Sequence, residues 1–311
     1  MRYGLKFLFA TLPVVLLAAS AQGQAPFAEG GNVFVCTQLR DGIRQKAREL
    51  NERRLDFFLF EAAEKGCPDI VAELIEDGAS VAARDRFGNI ALHHAASAGH
   101  VEIMEFLLQK GSNIEQPNLA GSTPLLSAVT GNRRKAVQFL LEAGVGTGLV
   151  SRNGITPLAA AAFHGNDRIV RLLMEHGADP AEADGTGKGP IVYAAARGYV
   201  GIVETLLDQG VDVDHRYGHG LTALMWAAGH TNDTPESDGL KMVELLVGRG
   251  ADIEAEDDRG WTPVMTAAAR GHAAIVRFLK QRGADIGHKA RDGRGAIELA
   301  ADETVKKALG E

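Results

Sequence analysis

The sequence has 311 residues, of which 45% are hydrophobic and 23% are charged, a composition typical of a folded globular protein. Its 40 acidic residues outnumber its 33 basic ones, so the formal net charge is −7. Nucleic-acid binding relies on clustered Lys and Arg, and no such run occurs here. The charge therefore argues against a nucleic-acid partner.

The first 21 residues have the three parts of a secretory signal peptide. Arg2 and Lys6 supply positive charge, an apolar stretch runs over residues 7–19, and Ala19-Ser20-Ala21 gives the small-residue cleavage pattern. The alternative is a buried N-terminal helix. We expect cleavage before Gln22. Cleavage removes the two positive residues Arg2 and Lys6, so the net charge changes from −7 to −9 in the mature chain.

No later apolar segment is long enough to span a membrane, so we expect a periplasmic protein, with secretion as the alternative.

The sequence repeats itself with a period of 33 residues, interrupted once by a step of 40. Two sets of glycines, ten residues apart, follow this period: Gly78, Gly111, Gly144, Gly177, Gly210, Gly250 and Gly283, and Gly88, Gly121, Gly154, Gly187, Gly220, Gly260 and Gly293. Fixed periods of this length indicate a solenoid of stacked units. The longer step predicts a seven-residue insertion within Thr231 to Gly239. We interpret it as a polar surface loop, with a partner-contacting loop as the alternative.

Each unit is predicted to contain a turn, a short helix, a loop and a longer helix. The first set of glycines follows the longer helices, where a left-handed residue ends a helix. The second set precedes pairs such as Thr123-Pro124, Thr156-Pro157 and Thr262-Pro263, in which Thr can cap a new helix and Pro can occupy its first turn. Gly189-Pro190 lacks that cap, and Asn132 stands where a loop glycine is usual.

These motifs closely resemble the ankyrin repeat over roughly residues 55–309. The matching stretches include residues 89–96, Gly99-His100, Gly250-Ala251-Asp252-Ile253 and Gly283-Ala284-Asp285-Ile286. The resemblance implies an all-α solenoid of seven units, starting near residues 55, 88, 121, 154, 187, 220 and 260, and a final half unit from 293. It also implies that the short helices line a concave face beside projecting turns. We divide the chain into the signal peptide at 1–21, a flexible and capping segment at 22–54, and the repeat domain at 55–311.

The first unit contains Leu55-Asp56-Phe57-Phe58-Leu59-Phe60, which is too apolar for an exposed end. We expect residues 33–50, beginning with Val33-Phe34-Val35, to cover it. Cys36 lies in this segment and Cys67 in the loop of the first unit, so a disulfide between them would hold the cap in place. Two free thiols are the alternative.

Motifs for catalysis or metal binding are absent from the sequence. There is no nucleophile elbow and no zinc-binding helix, and residues 185–189 have the wrong glycine spacing for a phosphate loop. By the ankyrin resemblance, we expect His93 to bond a turn backbone, and His100 and His272 to occupy the usual loop position. We therefore predict no enzyme activity, no cofactor and no metal.

The concave face is the better candidate for a functional site. Trp, Tyr and Arg dominate the binding energy of protein interfaces, and large residues of this kind occupy solvent-facing positions of the later units. We predict a partner-binding set of Phe163, His164, Tyr193, Arg197, Trp226, Arg259 and Trp261. The alternative is that these rings pack on neighbouring helices.

The sequence thus predicts a monomeric protein-interaction module whose partner is another protein. A more specialised interpretation is an inhibitor or immunity protein for an exported enzyme. Another is a secreted effector that acts on host proteins.

Overall fold

The computed structural model describes residues 33–46, 51–230 and 235–310, which form 17 helices. The predicted signal peptide lies outside the described residues. Helix α1 (Val33–Gln45) precedes eight helix pairs. The first helices of the pairs are α2 (Glu52–Lys65), α4 (Ala91–Ala98), α6 (Pro124–Thr130), α8 (Pro157–Phe163), α10 (Pro190–Ala196), α12 (Ala223–Ala228), α14 (Pro263–Arg270) and α16 (Ala296–Leu299). The second helices are α3 (Pro68–Glu76), α5 (Val101–Gln109), α7 (Arg134–Glu142), α9 (Asp167–Glu175), α11 (Val200–Asp208), α13 (Glu236–Gly248), α15 (Ala273–Gln281) and α17 (Glu303–Gly310).

The pairs stack in one direction, each first helix against the first helices of its neighbours and each second helix in a parallel outer row. The apolar side chains of both rows join in one continuous core, which runs from Leu39 to Leu309. First helices approach closely because alanine dominates their buried positions, as in Ala160, Ala161 and Ala162. The predicted all-α solenoid is confirmed.

Local signals in the sequence position the helix ends as predicted, with one exception. The hydroxyl groups of Thr123 and Thr156 accept hydrogen bonds from the backbone N–H of Leu126 and Ala159, at 3.3 and 3.0 Å. Gly189 makes no side-chain cap, as expected. Thr262, however, begins α14 without a capping bond from its side chain. Asn132 has a φ of 55°, so it does take the left-handed conformation usually left to glycine.

A hairpin turn projects before each of the first helices α4, α6, α8, α10, α12, α14 and α16. We call these turns fingers, and each is closed by a backbone hydrogen bond between residues four apart, such as Asp85 N–H to Asn89 O at 2.9 Å. Neighbouring fingertips are joined in turn, for example by Leu119 N–H to Phe87 O at 2.9 Å and Arg152 N–H to Ala120 O at 2.8 Å. The fingers therefore form a connected row.

The N-terminal cap is helix α1, held to the first unit by a disulfide between Cys36 and Cys67 with an S–S distance of 2.06 Å. Its residues Cys36, Leu39 and Ile43 pack against the core. The expectation that Val33 and Phe34 provide the cover was wrong, since their side chains are 78% and 69% exposed. Both lie in the first turn of α1, before the residues of this helix that pack against the core.

Two further expectations need correction. Residues 236–239 do not form a polar loop, because Glu236, Ser237 and Asp238 begin α13, which has 13 residues where most second helices have nine. The rest of the insertion, residues 231–234, lies outside the described residues. The terminal half unit is in fact a complete but short pair, α16 and α17. Val305 and Leu309 of α17 are buried, so this pair closes the end of the core.

Candidate protein-binding face

The exposed sides of α4, α6, α8, α10, α12 and α14, together with the fingers before them, form one surface, which we call the inner face. All seven predicted partner-binding residues lie on helices α8, α10 and α12, just after them, or in the finger before α14. Phe163, His164 and Arg259 are exposed, whereas Tyr193, Arg197, Trp226 and Trp261 are half-buried. The structure thus places all seven on or beside the inner face.

A buried carboxylate fixes the finger and the first helix of the fifth unit. Asp184 is only 6% exposed and accepts hydrogen bonds from the backbone N–H groups of Thr186 and Lys188, at 2.8 and 3.1 Å. It also accepts from the hydroxyl groups of Thr186 and Tyr193. Burial alone would raise the pKa of Asp184, but these hydrogen bonds lower it. Burial and the carboxylate together raise the pKa of Tyr193 to about 12, so its hydroxyl stays protonated as a donor.

The ring of Tyr193 belongs to a cluster that links two units. The Phe163 ring meets Tyr193 edge-on at 5.7 Å and His164 at 5.2 Å, measured between ring centroids. The guanidinium carbon of Arg197 lies 4.0 Å from the Phe163 centroid. This contact between a cation and the face of a ring is attractive and holds the Phe163 ring in place.

The two tryptophans have a mixed environment. Both are half-buried and pack against the core, so the predicted alternative of packing on neighbouring helices holds for part of each ring. The ammonium group of Lys188 lies 5.2 Å from the Trp226 ring, and the guanidinium carbon of Arg259 lies 4.0 Å from the Trp261 ring. Their partner-binding role stays a prediction.

A groove of about 320 Å³ opens on the inner face between the third, fourth and fifth units. Its lining is predominantly apolar and includes three residues of the predicted set. The lining residues are Ser122, Leu126, Thr130, Ser151, Ile155, Ala159, Ala160, Phe163, His164 and Tyr193. The groove exists because Ala160 occupies the position that Tyr193 and Trp226 fill in the next two units, one and two periods along the chain.

Sequence reasoning missed the apolar residues of the earlier units. Leu126 and Ile155 line the groove, and Phe87 and Leu119 are exposed at two neighbouring fingertips. Leu119 stands one period before Arg152, so the repeat marks it as a fingertip position. The predicted set contains only aromatic, histidine and arginine residues of the fourth to seventh units, which leaves these apolar side chains out.

His93, His100 and His272 have structural partners. His93 is buried, accepts a hydrogen bond from Ile90 N–H through Nδ1 and contacts Ser122 O through Nε2 at 3.0 Å. Burial lowers the pKa of His93 to about 4, which keeps the ring neutral. His100 and His272 contact the carbonyl groups of Glu64 and His230 in the preceding units, so the expected positions are confirmed. Over the described ranges, no group of three or more His, Cys, Asp or Glu residues is placed to hold a metal ion.

Residues 185–189 form part of a finger, as the spacing of their glycines indicated. Asp184 N–H and Lys188 O close the turn at 2.9 Å, and Gly185 N–H bonds Asn153 O of the preceding finger at 3.0 Å. These backbone groups are therefore engaged within the protein.

Stacked helix pairs, a row of fingers and a grooved inner face define a solenoid of helical repeats. The family model for ankyrin repeats matches residues 59–151, 136–217, 214–290 and 233–309. The chain belongs to the ankyrin-repeat family. This fold typically serves as a non-catalytic module for protein–protein interaction.

Similar proteins share the repeats rather than a whole architecture. The chain is 44% identical over 57 residues to human protein phosphatase 1 regulatory subunit 27, covering 18% of this chain and 37% of that one. It is 39% identical over 61 residues to mouse ankyrin repeat and SAM domain-containing protein 6, covering 19% of this chain and 7% of that one. The matches thus span well under half the length of these relatives.

Solved ankyrin domains extend the similarity over most of the fold. The ankyrin repeat domain of human ASB11 gives a TM-score of 0.63 at 28% identity, covering 70% of this chain and 95% of that domain. The ankyrin repeat domain of Bcl-3, a member of the IkappaB protein family, gives a TM-score of 0.59 at 26% identity. This match covers 72% of this chain and 99% of that domain. Among the described helices, none is long and apolar enough to cross a membrane.

Proposed function

We propose that this chain is a non-enzymatic binding module that holds a protein partner on its inner face. The observation that carries the proposal is the groove between the third and fifth units. Its apolar walls are bordered by the ordered cluster of Phe163, Tyr193 and Arg197. A concave apolar site with a few fixed polar groups is the usual form of a binding site, and preordered side chains lose little entropy when a partner binds.

The module acts as a monomer in the periplasm after cleavage of its signal peptide. The charged, apolar and small-residue parts of the first 21 residues support export. The disulfide between Cys36 and Cys67 supports an oxidising compartment, because such bonds are rare in the reducing cytosol. Cell fractionation with N-terminal sequencing tests this location: protein starting at Gln22 in the periplasmic fraction is expected, and protein retaining Met1 in the cytoplasm would refute it.

The binding role is tested by affinity capture from periplasmic extract with three forms of the chain. Phe163→Ser removes a groove wall, whereas Glu175→Ser changes an exposed residue on α9 of the same unit, on the opposite side. We expect the wild type and the Glu175→Ser control to retain the same protein and Phe163→Ser to lose most of it. Equal capture by all three forms would show that the inner face is not the binding surface.

A further inference from the structure

The charges of the inner face differ from those of the whole chain. Four segments contribute the fingers and first helices of the third to sixth units: residues 118–131, 151–164, 184–198 and 217–230. They contain the cations Arg152, Lys188 and Arg197, and Asp184 is their only carboxylate. The chain as a whole is acidic, with a net charge of −7. The central inner face is therefore a basic region on an acidic protein.

The single carboxylate does not neutralise these cations by direct pairing. Asp184 is buried, and its oxygens accept hydrogen bonds from Tyr193, Thr186 and the backbone. Within the part of the chain that the structure describes, Arg152, Lys188 and Arg197 form no ion pair with any carboxylate. Elsewhere on the surface, exposed cations such as Arg171 and Arg249 do pair with acidic residues.

The three cations border the apolar groove. Arg197 lies over the lining residue Phe163, the ammonium group of Lys188 lies 6.0 Å from the ring of Tyr193, and Arg152 follows the lining residue Ser151. An apolar depression with a positive margin is complementary to an apolar side chain that has negative charges on either side. Charge complementarity of this kind selects partners and speeds association.

We propose that the partner presents an acidic segment with a large aliphatic or aromatic side chain, which enters the groove between Leu126, Ile155 and Phe163. The flanking carboxylates of that segment pair with Arg152, Lys188 and Arg197. This inference rests on the proposed binding function and specifies the chemistry of the partner.

The test measures binding of the purified full-length chain to a library of short random peptides displayed on beads. We expect the retained peptides to be enriched in Asp and Glu around a Leu, Ile or Phe, and their binding to weaken as salt is raised. A variant with Arg152→Glu, Lys188→Glu and Arg197→Glu should bind the acidic peptides with an affinity about tenfold or more below that of the wild type. Ile155→Thr, which replaces an apolar side chain with a smaller polar one, should lower the enrichment of the apolar residue and leave the acidic preference.

The matched control carries Arg134→Glu, Arg168→Glu and Arg277→Glu, an equal charge change at exposed positions of the second helices. It should bind the same peptides as the wild type, and circular dichroism should show both triple variants folded. Retention of neutral or basic peptides that compete at the groove would overturn the acidic chemistry and leave the binding function standing. Peptides retained equally by the wild type and both triple variants would also overturn the proposed acidic chemistry. Failure to retain any peptide at the inner face would count against both proposals.

Discussion

The guanidinium group of Arg197 covers the ring of Phe163, with 4.0 Å between the guanidinium carbon and the ring centroid. Phe163 ends α8 of the fourth unit, and Arg197 directly follows α10 of the fifth. The contact therefore joins two units on the inner face and orders a wall of the groove.

This pairing predicts a measurable coupling between the two residues. In a double-mutant cycle of Phe163→Ala and Arg197→Ala, the free energies of unfolding should show a coupling of about 0.5–1 kcal/mol, as for other exposed cation–ring pairs. Urea unfolding of the four proteins measures it. Strictly additive effects would show that the stacking contributes nothing to the order of the cluster.

The two tryptophans should contribute to binding more than to folding. Replacing Trp226 and Trp261 together with Ala should weaken binding of the captured partner by about 2 kcal/mol or more. Because both rings are half-buried against the core, the melting temperature should fall, but the variant should still unfold in one cooperative transition. Titration calorimetry and thermal circular dichroism measure the two effects. An unfolded double variant would assign the rings to the core.

The disulfide should stabilise the first unit by holding α1 against α2. Cys36 and Cys67 are 31 residues apart, and closing a loop of that size stabilises the folded state by about 3–4 kcal/mol in the chain-entropy model. Reduction, or the double change Cys36→Ser and Cys67→Ser, should lower the melting temperature. Thiol counting on unfolded, unreduced protein from the periplasm should find no reactive thiol, and two per chain would contradict the bond.

The prediction of the repeats succeeded because the glycine lattices, the Thr-Pro pairs and the buried apolar positions each report a local backbone requirement. Asn132 and Gly189 could be placed in the same way. The conformation of the insertion could not be predicted, because its helical continuation depends on how Glu236 to Gly239 pack beside His230. The contact is close: a Cβ atom at position 239 would come within 2.1 Å of the His230 ring. The groove was not predicted either: the repeat shows that Ala160 is smaller than Tyr193, but the groove also depends on how Leu126 and Ile155 of adjoining units come together around it.

Stability should fall in mild acid because of His93. The pKa of this buried ring is about 4 in the folded chain, against 6.5 for an ordinary histidine. The unfolded chain therefore takes up a proton first as the pH falls, so the stabilisation is complete above pH 6.5 and decreases towards pH 4, by about 3 kcal/mol in all. His272, whose pKa burial also lowers, acts in the same direction.

Urea unfolding at several pH values between 4 and 7 measures this slope. His93→Gln cannot take up the proton, so its unfolding free energy should depend less on pH than that of the wild type. His176→Gln changes an exposed histidine after α9 and serves as the matched control, with the wild-type slope expected. An unchanged slope in His93→Gln would show that other groups govern the acid response.

The central claim, that a protein partner occupies the inner face, is tested most directly by site-specific photo-crosslinking in the periplasm. A photoreactive amino acid is placed at Thr130 or His164, which line the groove, or at Glu175, exposed on α9. We predict that illumination joins the same partner to the chain from both groove positions and not from position 175. Crosslinks to that partner from position 175 alone, or equally from all three, would contradict the claim.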